Sequence, residues 1–532
     1  MKQSRPVTIV GIAVAIVVGI SYFAYLDRSP VYLSHDEIVF GSHGHAIATT
    51  GRDLNGRFFP LFFEVRAGYW ATPVTIYLMA LVQKILPLSE ISIRLPTVLI
   101  GLTSVVLLYF IGRRVFQCEW LALVAAVLLA LSPAHFIHSR IAVDHLYVVP
   151  FMLAWLLCLH IVLERYRAGV LFLGGLVLGV GFYSYLAAVV LMPTYFVITC
   201  VAIYQRYGRS LKYYLPAAIG FALPLTLLVP WLIAHQEQYT GQVLMYNVYD
   251  ATKLTPLQGV RHVANWTGVT TRASVYYSFF SPSMLFFSGG SSLLNATRQA
   301  GALLLPLLVL LPLGMYKVAS ASLFHSLWLS DANAIFKRVL LAGFASAPLP
   351  SVVVADLAIN RGLVLLPYCA LFAAFGVEHL MSSRKSTSRL AAIVLLALAP
   401  LQFASFVRDY HNGYRARSAI WFEGNIRGAI EEVLDRMRVA RRPAVYLPTD
   451  IEWIDWYWRF YLNRYGRQDL SLSALYFDPK TIDPAEVPSG SLVVLRAEAP
   501  SRAVFDQQGA RINVRNIPEP AGVSSMFEVF DR

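Results

Sequence analysis

Apolar segments long enough to cross a membrane recur from the N-terminus to about residue 407. A helix rises 1.5 Å per residue, so about 20 apolar residues span a hydrocarbon core of roughly 30 Å. This criterion predicts membrane-spanning helices near residues 7–26, 95–111, 120–137, 146–163, 169–183, 186–204, 213–233, 301–316, 339–355, 363–381 and 390–407. The later sequence is polar and mixed, which predicts a membrane domain over 1–407 and a soluble domain over 408–532.

The segment at residues 72–86 differs from these spans and predicts a helix lying in the plane of the membrane. It contains Gln83 and Lys84 and covers about 15 residues, which is short for a crossing. If it crossed, Arg113 and Arg114 after the next span would lie outside the cytoplasm, against the usual distribution of basic residues. An interfacial helix removes this conflict.

Basic residues then set the predicted orientation, because Lys and Arg gather in cytoplasmic loops such as the segment 317–338. With the N-terminus in the cytoplasm, an odd number of about 11 spans places the C-terminal domain outside, together with the outer loops 27–94, 138–145 and 234–300. The predicted fold class is an α-helical polytopic membrane protein with in-plane juxtamembrane helices. A small extracytoplasmic α/β domain follows at the C-terminus.

Composition supports a membrane protein and argues against two classes of function, nucleic-acid binding and ion-coupled transport. Hydrophobic residues make up 57% of the 532 positions and charged residues 14%, against about 25% in soluble domains. The net charge of +13 does not indicate nucleic-acid binding, because no basic patch carries interleaved stacking aromatic residues. Ionisable residues are scarce in the spans, whereas ion-coupled transporters place them at bilayer depth. We therefore expect chemistry at the outer face.

Two outer loops carry the acids that could perform it. In the first, Ser34 and Glu37 fit a capping box that starts a helix through about Thr49. Asp36 then either favours the helix N-terminus or acts as a general base above the bilayer, and the two interpretations are compatible. In the second, the run from His138 to Asp144 and His145 is either a solvated connection or part of the same site.

Arginines and aromatic residues lie near these acids. Arg66, in the stretch from Glu64 to Trp70, is either a phosphate ligand at headgroup depth or an arginine extending to the interface beside aromatic residues. Arg361 has the same two interpretations. The long outer loop carries an aromatic run from Tyr276 to Gly290 that is typical of an interfacial segment.

Together these residues resemble the GT-C superfamily of membrane glycosyltransferases, in particular the bacterial protein-mannosyltransferase-like branch that includes the aminoarabinose transferase of lipid A. The resemblance covers roughly residues 5–410. It rests on segments that occur in this order, namely Asp36-Glu37, Glu64 to Trp70, Ser92-Ile93-Arg94-Leu95-Pro96, Ser139-Arg140 to Asp144, and Phe280 to Gly289.

The resemblance implies transfer of a sugar from a polyprenyl-phosphate carrier to a hydroxyl acceptor, which would be an envelope glycan, a glycolipid or a protein. It implies a catalytic site of Asp36, Glu37 and Asp144, with Asp36 as the base. The implied donor-phosphate ligands are Arg66, Arg361, Lys84 and Arg140, and the implied substrate contacts are Tyr69, His145 and Tyr277. No cofactor is required, although a divalent metal with Glu64 as a ligand stays open. The implied location is the bacterial inner membrane, with the C-terminal domain in the periplasm.

Two other functions stay open from sequence, a lipid or sugar transporter and a non-catalytic envelope assembly protein. The acid-rich outer loops favour an enzyme over both. In the C-terminal domain the pattern predicts helices over 424–438 and 451–465 and strands over 443–448, 491–496 and 525–530. Aromatic residues from Trp453 to Tyr461 would pack against a sheet, rest on the membrane or stack on sugars.

Overall fold

A computed structural model describes residues 5–323, 331–440 and 442–532. Seven residues of the predicted cytoplasmic segment 317–338 lie outside the described residues. Each predicted span coincides with one helix or with a broken pair of helices. These helices are Arg5–Phe23, Glu90–Phe116, Glu119–Ala130 with Pro133–His138, Val148–Glu164, Ala168–Gly181, Ala188–Tyr207, Leu215–Leu225 with Leu228–Ala234, Leu307–Leu323, Ala332–Ser346 with Leu349–Val354, Leu365–Met381 and Ser386–His411.

Length and composition distinguish two groups among the apolar helices. Within the described residues, six continuous or nearly continuous helical segments are long and apolar enough to cross a membrane, and shorter apolar helices accompany them. Some spans are broken where proline interrupts the helical pattern, as at Ser132–Pro133 and Pro348, because proline lacks a backbone N–H and restricts the residue before it. The helical membrane fold predicted from sequence is confirmed.

Small residues allow the helices of the membrane domain to pack closely. A Cβ added at Gly314 would lie 1.6 Å from the carbonyl oxygen of Phe372, and one at Gly376 would lie 2.1 Å from that of Leu310. Helices Leu307–Leu323 and Leu365–Met381 therefore approach backbone to backbone. Such contacts are typical of helix pairs in membranes, where packing replaces the hydrophobic effect.

The loops predicted to lie outside the cytoplasm, for which we keep the name outer loops, contain short elements between these helices. Helix His35–Thr50 is followed by a hairpin of strands β1 (Phe63–Arg66) and β2 (Tyr69–Ala71) and by helix Pro73–Gln83, which coincides with the predicted in-plane helix. It packs against His35–Thr50 and Glu90–Phe116. The long outer loop contains helices Glu237–Met245, Pro256–Val263 and Trp266–Ser278 and a π-helical turn, Ser283–Ser288.

The C-terminal region folds around a five-stranded sheet. Its strands are β3 (Val445–Pro448), β4 (Ala474–Phe477), β5 (Leu492–Arg496), β6 (Ile512–Asn516) and β7 (Phe527–Asp531), in the order β4-β3-β5-β7-β6. The β3 pairs are parallel and the β7 pairs antiparallel. The helices of this region are Gly413–Ser418, Ile426–Val439, Ile454–Tyr465 and Ser501–Gln507. The sheet confirms the predicted α/β unit, and the pattern missed β4 and β6.

Buried polar contacts join this C-terminal region to the outer loops. The hydroxyl of Tyr457 donates to the carbonyl of Leu33 at 2.9 Å, and Glu90 at the start of helix Glu90–Phe116 accepts from Arg427 at 3.1 Å and pairs with Arg464. The predicted boundary at 407/408 falls in the last turns of helix Ser386–His411. The C-terminal region therefore packs directly on the loop that carries Asp36.

Candidate active site

Helix His35–Thr50 begins with the capping box predicted from sequence. The backbone N–H of Ser34 donates to Glu37 Oε2 at 2.9 Å, and the Ser34 hydroxyl accepts from the Glu37 N–H at 3.4 Å. Glu37 is fully buried, where Arg94 donates to it at 2.8 Å and the Ala142 N–H at 3.0 Å. This carboxylate therefore joins three elements and fixes the direction in which Asp36 points.

The Asp36 side chain, unlike that of Glu37, is accessible. About 47% of its side chain is exposed, and His35 Nε2 lies 3.6 Å from one of its oxygens. Surrounding protein raises the pKa of Asp36 by reducing its hydration, with smaller increases from the charges of Glu37 and Glu452, whereas His35 opposes the rise. A carboxylate with a raised pKa is a stronger base once it is ionised.

Asp144 contributes a second carboxylate close to the first. It is buried at the start of a short 3₁₀ turn, and the Thr72 hydroxyl donates to it at 2.8 Å. Burial raises the pKa of Tyr185 and Tyr246, and the negative charges of both Asp144 and Asp36 raise it further. These charge interactions and the contact of Arg361 with Tyr246 connect five residues, and we call the group of Asp36, Asp144, Tyr185, Tyr246 and Arg361 the cleft.

Arg361 brings positive charge to the cleft. It lies in the 3₁₀ turn Ile359–Gly362, pairs with Asp356, and has its guanidinium carbon 5.5 Å from the centre of the Tyr246 ring. Only 18% of its side chain is exposed. The neighbouring Asn360 lies 3.1 Å from His145 Nε2, which links this turn to the residue after Asp144.

The C-terminal region closes one side of this arrangement through Trp453. The Arg66 guanidinium carbon lies 3.5 Å from the centre of a Trp453 ring, and the His35 ring stacks on the same side chain with centroids 5.7 Å apart. Arg66 also lies 3.9 Å from Asp455 and keeps 44% of its side chain exposed. Trp453 thus contacts the residue beside Asp36 and the arginine of the β1–β2 hairpin.

Comparison with known proteins places this geometry in a known fold. The family model for dolichyl-phosphate-mannose-protein mannosyltransferase matches residues 71–233. The crystal structure of ArnT from Cupriavidus metallidurans bound to undecaprenyl phosphate superposes with a TM-score of 0.55 and 12% identity over 98% of this chain and 97% of that one. The chain therefore shares the fold of this membrane protein along nearly its whole length.

A second solved structure has a similar fold. The archaeal oligosaccharyltransferase AglB from Archaeoglobus fulgidus, solved with an inhibitory peptide and a dolichol-phosphate, is 13% identical with a TM-score of 0.50. The match covers 87% of this chain and 64% of AglB. No curated protein matches the sequence significantly. The resemblance stated from sequence is therefore confirmed at the level of the fold.

Several residues expected at a GT-C site lie elsewhere or are already bound. Arg140 is buried and donates to four backbone carbonyls at 2.7–3.1 Å, which leaves its charge in the protein interior. Lys84 donates to the carbonyl of Ala48 near the far end of helix His35–Thr50, about 18 Å along the axis from Asp36. Tyr277 is 73% exposed on helix Trp266–Ser278, and Tyr69 is exposed on β2. The geometry does not support donor contacts by Arg140 or Lys84.

Glu64, the candidate metal ligand, is held in an ion pair. Arg57 donates to its carboxylate at 2.5 Å. Among the described residues, no group of three or more His, Cys, Asp or Glu side chains is arranged to hold a metal ion. The donor set around Glu64 therefore does not fit a metal site, and the steps below use the chain's own side chains.

Four residues of the cleft and its rim were not singled out from the sequence, namely Thr72, Tyr185, Tyr246 and Asn360. Thr72 occupies the N-cap position before Pro73, so its place at the start of the helix can be read from the sequence. Its hydrogen bond to Asp144 cannot, because that contact is long-range. Tyr185, Tyr246 and Asn360 come from separate parts of the chain, and only the fold brings them together. Trp453 was noted for its aromatic neighbours, but its contact with Arg66 is long-range.

Proposed function

We propose that this protein transfers a sugar from a polyprenyl-phosphate carrier to a hydroxyl acceptor at the outer face of the bacterial inner membrane. In this proposal the N-terminus is cytoplasmic and the C-terminal domain periplasmic. The observation that carries it is the cleft, where an accessible Asp36 lies near Asp144 and Arg361 in a GT-C fold. The structures of ArnT with undecaprenyl phosphate and AglB with dolichol-phosphate support a donor of this class.

Asp36 is the proposed general base. The acceptor oxygen bonds to the anomeric carbon as its proton passes to the Asp36 carboxylate. The bond between that carbon and the phosphate oxygen breaks, and its electron pair leaves with the phosphate. Asp36 suits this step because its side chain is accessible, whereas Asp144 is buried and bound by Thr72. We assign Asp144 to orienting the acceptor.

Arg361 is the proposed partner of the departing phosphate. Negative charge grows on this group as the bond breaks, and a fixed guanidinium stabilises it by charge-assisted hydrogen bonds. Arg361 is fixed by Asp356 and the Tyr246 ring, so little reorganisation is needed. Arg66 on Trp453 supplies a second, more mobile positive charge at the entrance. Glu37 becomes a positioning residue, because its oxygens are bound by Arg94 and Ala142.

A separate apolar cavity fits the hydrocarbon chain of such a donor. It has a volume of about 640 Å³ and lies between helices Arg5–Phe23, Glu119–Ala130 and Ser386–His411, with only apolar side chains such as Val18, Leu128 and Ala399 in its lining. One of its walls, Leu131, is followed directly by the turn and helix that lead to Asp144. A prenyl chain held there would have its phosphate end directed toward the outer loops.

Transfer of label tests this function directly. Protein in lipid nanodiscs is incubated with undecaprenyl phosphate carrying radiolabelled sugars and with an envelope fraction as acceptor. We expect transfer by the wild type and at least a hundredfold slower transfer by Asp36→Asn, because general-base catalysis contributes about 10²–10⁴-fold.

Asp27→Asn is the matched control, since Asp27 is an exposed acid of the same outer segment that pairs with its neighbour Arg28. It should transfer label at the wild-type rate. Near-normal turnover by Asp36→Asn would disprove the assigned base. A wild type that binds the carrier but transfers no label from any sugar would favour a transporter or an assembly protein instead.

A further inference from the structure

A second cavity of about 640 Å³ borders the cleft and has no role in the steps above. Its walls are the end of helix Trp266–Ser278, the π-helical turn Ser283–Ser288, the loop after that turn, and the segment from Asp356 to Arg361. Asn360 and Arg361 line this cavity and also contact His145 and Tyr246, respectively, so they lie between the cavity and the cleft. A ligand in the cavity would therefore lie next to the cleft. Its volume falls within the usual range for small-molecule sites.

The lining of this cavity is rich in hydroxyl groups. Six serines face it, Ser278, Ser281, Ser283, Ser288, Ser291 and Ser292. Two of these hydroxyls are used within the loop, by Ser288 to the carbonyl of Ser283 at 3.2 Å and by Ser292 from the N–H of Leu294 at 3.2 Å. In the part of the chain that the structure describes, the other four have no protein partner. They remain available to a ligand as both donors and acceptors.

The backbone is shaped to leave this space open. Gly289 and Gly290 end the π-helical turn with φ values of 73° and 133°, which side chains with a Cβ rarely adopt. A Cβ at Gly290 would meet no atom within 4 Å. Short π-helical turns are frequent at functional sites, where they redirect side chains. The turn and the glycines together place the serines around a single concave surface.

Charge decides which class of polar ligand fits. Asp356 and Arg361 are the charged residues in the lining, and they pair with each other, so the lining is neutral overall. Asp356 pairs with Nη1 of Arg361 and offsets its charge within the lining, and the other guanidinium N–H groups stay available to a phosphate in the cleft. The apolar cavity between the membrane helices has the same volume but a purely hydrocarbon lining. We propose that the serine-lined cavity binds a neutral carbohydrate unit through its hydroxyl groups.

The role of that carbohydrate rests on the proposed function. Its position next to Asn360 and Arg361 makes it either the sugar carried by the donor or a sugar unit of the acceptor glycan. Both sources present the same polyhydroxyl chemistry to the serines. Sugar binding itself does not depend on transfer, so the two proposals can be tested separately.

The test measures binding of methyl glycosides by saturation-transfer NMR to the full-length protein in nanodiscs, which avoids sugar-based detergents. The panel contains the methyl glycosides of glucose, galactose, mannose and N-acetylglucosamine. Ser278→Leu fills the cavity from the helix end, and Ser291→Leu fills it from the loop. Ser274→Leu is the matched control, because Ser274 is exposed one turn earlier on the same helix and outside the cavity.

We expect the wild type and Ser274→Leu to bind at least one glycoside with a millimolar Kd. Both cavity variants should weaken that binding at least tenfold while keeping the wild-type melting temperature. Using two variants guards against a folding defect in one of them. Binding of none of the glycosides, or equal binding by a folded cavity variant, would overturn the proposal.

The transfer assay then identifies the source of the sugar. A tenfold rise in the KM of the donor for Ser278→Leu assigns the cavity to the donor sugar, and the same rise in the KM of the acceptor assigns it to the acceptor. Unchanged values of both would overturn the proposal even if transfer is confirmed. Glycoside binding without any transfer would instead leave the carbohydrate site standing and refute the proposed function.

Discussion

The buried scaffold under the outer loops and the cleft beside it use the same residue types in opposite ways. In the scaffold, which we define as Glu37, Arg94 and Arg140, each charge is buried and bound by protein atoms. In the cleft, Asp36 keeps an accessible carboxylate, and Arg361 is partly exposed. Asp36 and Glu37 are adjacent in sequence. The helix directs the Glu37 side chain into the buried scaffold and leaves the Asp36 side chain accessible in the cleft.

This comparison shows why a charged residue in an outer loop is weak evidence for catalysis by itself. A buried guanidinium is costly unless its donors are matched. Arg94 meets this requirement with Glu37 and with the carbonyls of Leu26, Pro30 and Tyr32 at 2.7–3.1 Å. Arg361, in contrast, is held by Asp356 and Tyr246 but keeps part of its side chain exposed, so it can bind a ligand.

Breaking the scaffold should give the largest effect. Arg94→Met leaves the buried Glu37 carboxylate without its ion-pair partner, which typically costs about 3–5 kcal/mol. We expect a strongly lowered melting temperature by intrinsic fluorescence and poor recovery from membranes. The double variant Arg94→Met/Glu37→Met should regain much of the loss, and Arg438→Met at an exposed pair should change little. A stable Arg94→Met protein would show that the scaffold is not needed for folding.

Removing positive charge from the cleft should alter donor binding while leaving the fold intact. Arg361→Ala should raise the KM of the donor about 10- to 100-fold, because hydrogen bonds to charged groups contribute about 1.5–3 kcal/mol. Arg66→Ala should raise it only a few-fold, since that side chain is more exposed. Lys84→Ala is the control and should leave the KM unchanged. Equal effects of all three variants would argue against a specific phosphate site.

The smallest effect should be a pair of opposite shifts in the pH profile. Asp36 must be ionised to accept a proton, so kcat/KM should fall as the pH drops through its raised pKa. His35→Gln removes a charge that lowers this pKa and should move the acidic limb to higher pH. Glu452→Gln removes a charge that raises the pKa and should move it to lower pH. Identical profiles in both variants would place the titrating base elsewhere.

Sequence patterns predicted the parts of the molecule that depend on neighbouring residues. Hydrophobic run length located the membrane helices and the shorter helix Pro73–Gln83, and the spacing of Ser34 and Glu37 predicted their capping box. The breaks at Ser132–Pro133 and Pro348 lie within predicted spans, because apolar content does not report helix continuity. Strands β4 and β6 were missed because neither has a buried face: Phe477 is the one buried residue of β4, and every residue of β6 is exposed.

The contacts between distant segments could not be predicted from local patterns. Arg140 and Arg361 both lie in short connections beside apolar runs, yet one is enclosed by carbonyls from the first helix and the other faces Tyr246. The resemblance to GT-C enzymes pointed to Asp36 and Asp144 but also to Lys84, which lies at the other end of a helix. Only the three-dimensional structure distinguishes the charged loop residues that lie at the cleft from those that are buried or distant.

The contact of Tyr457 with Leu33 has a consequence for how the protein matures. The two residues are separated by 424 positions, and Trp453 beside Tyr457 supports both His35 and Arg66. At a synthesis rate of about 5–20 residues per second, roughly 20–85 s pass between the translation of the two segments. With the proposed topology, the loop that carries Asp36 reaches the outer side early, and its supports arrive only after the C-terminal domain has been exported. The protein would therefore become active as its last step of biogenesis, after every membrane helix has been inserted.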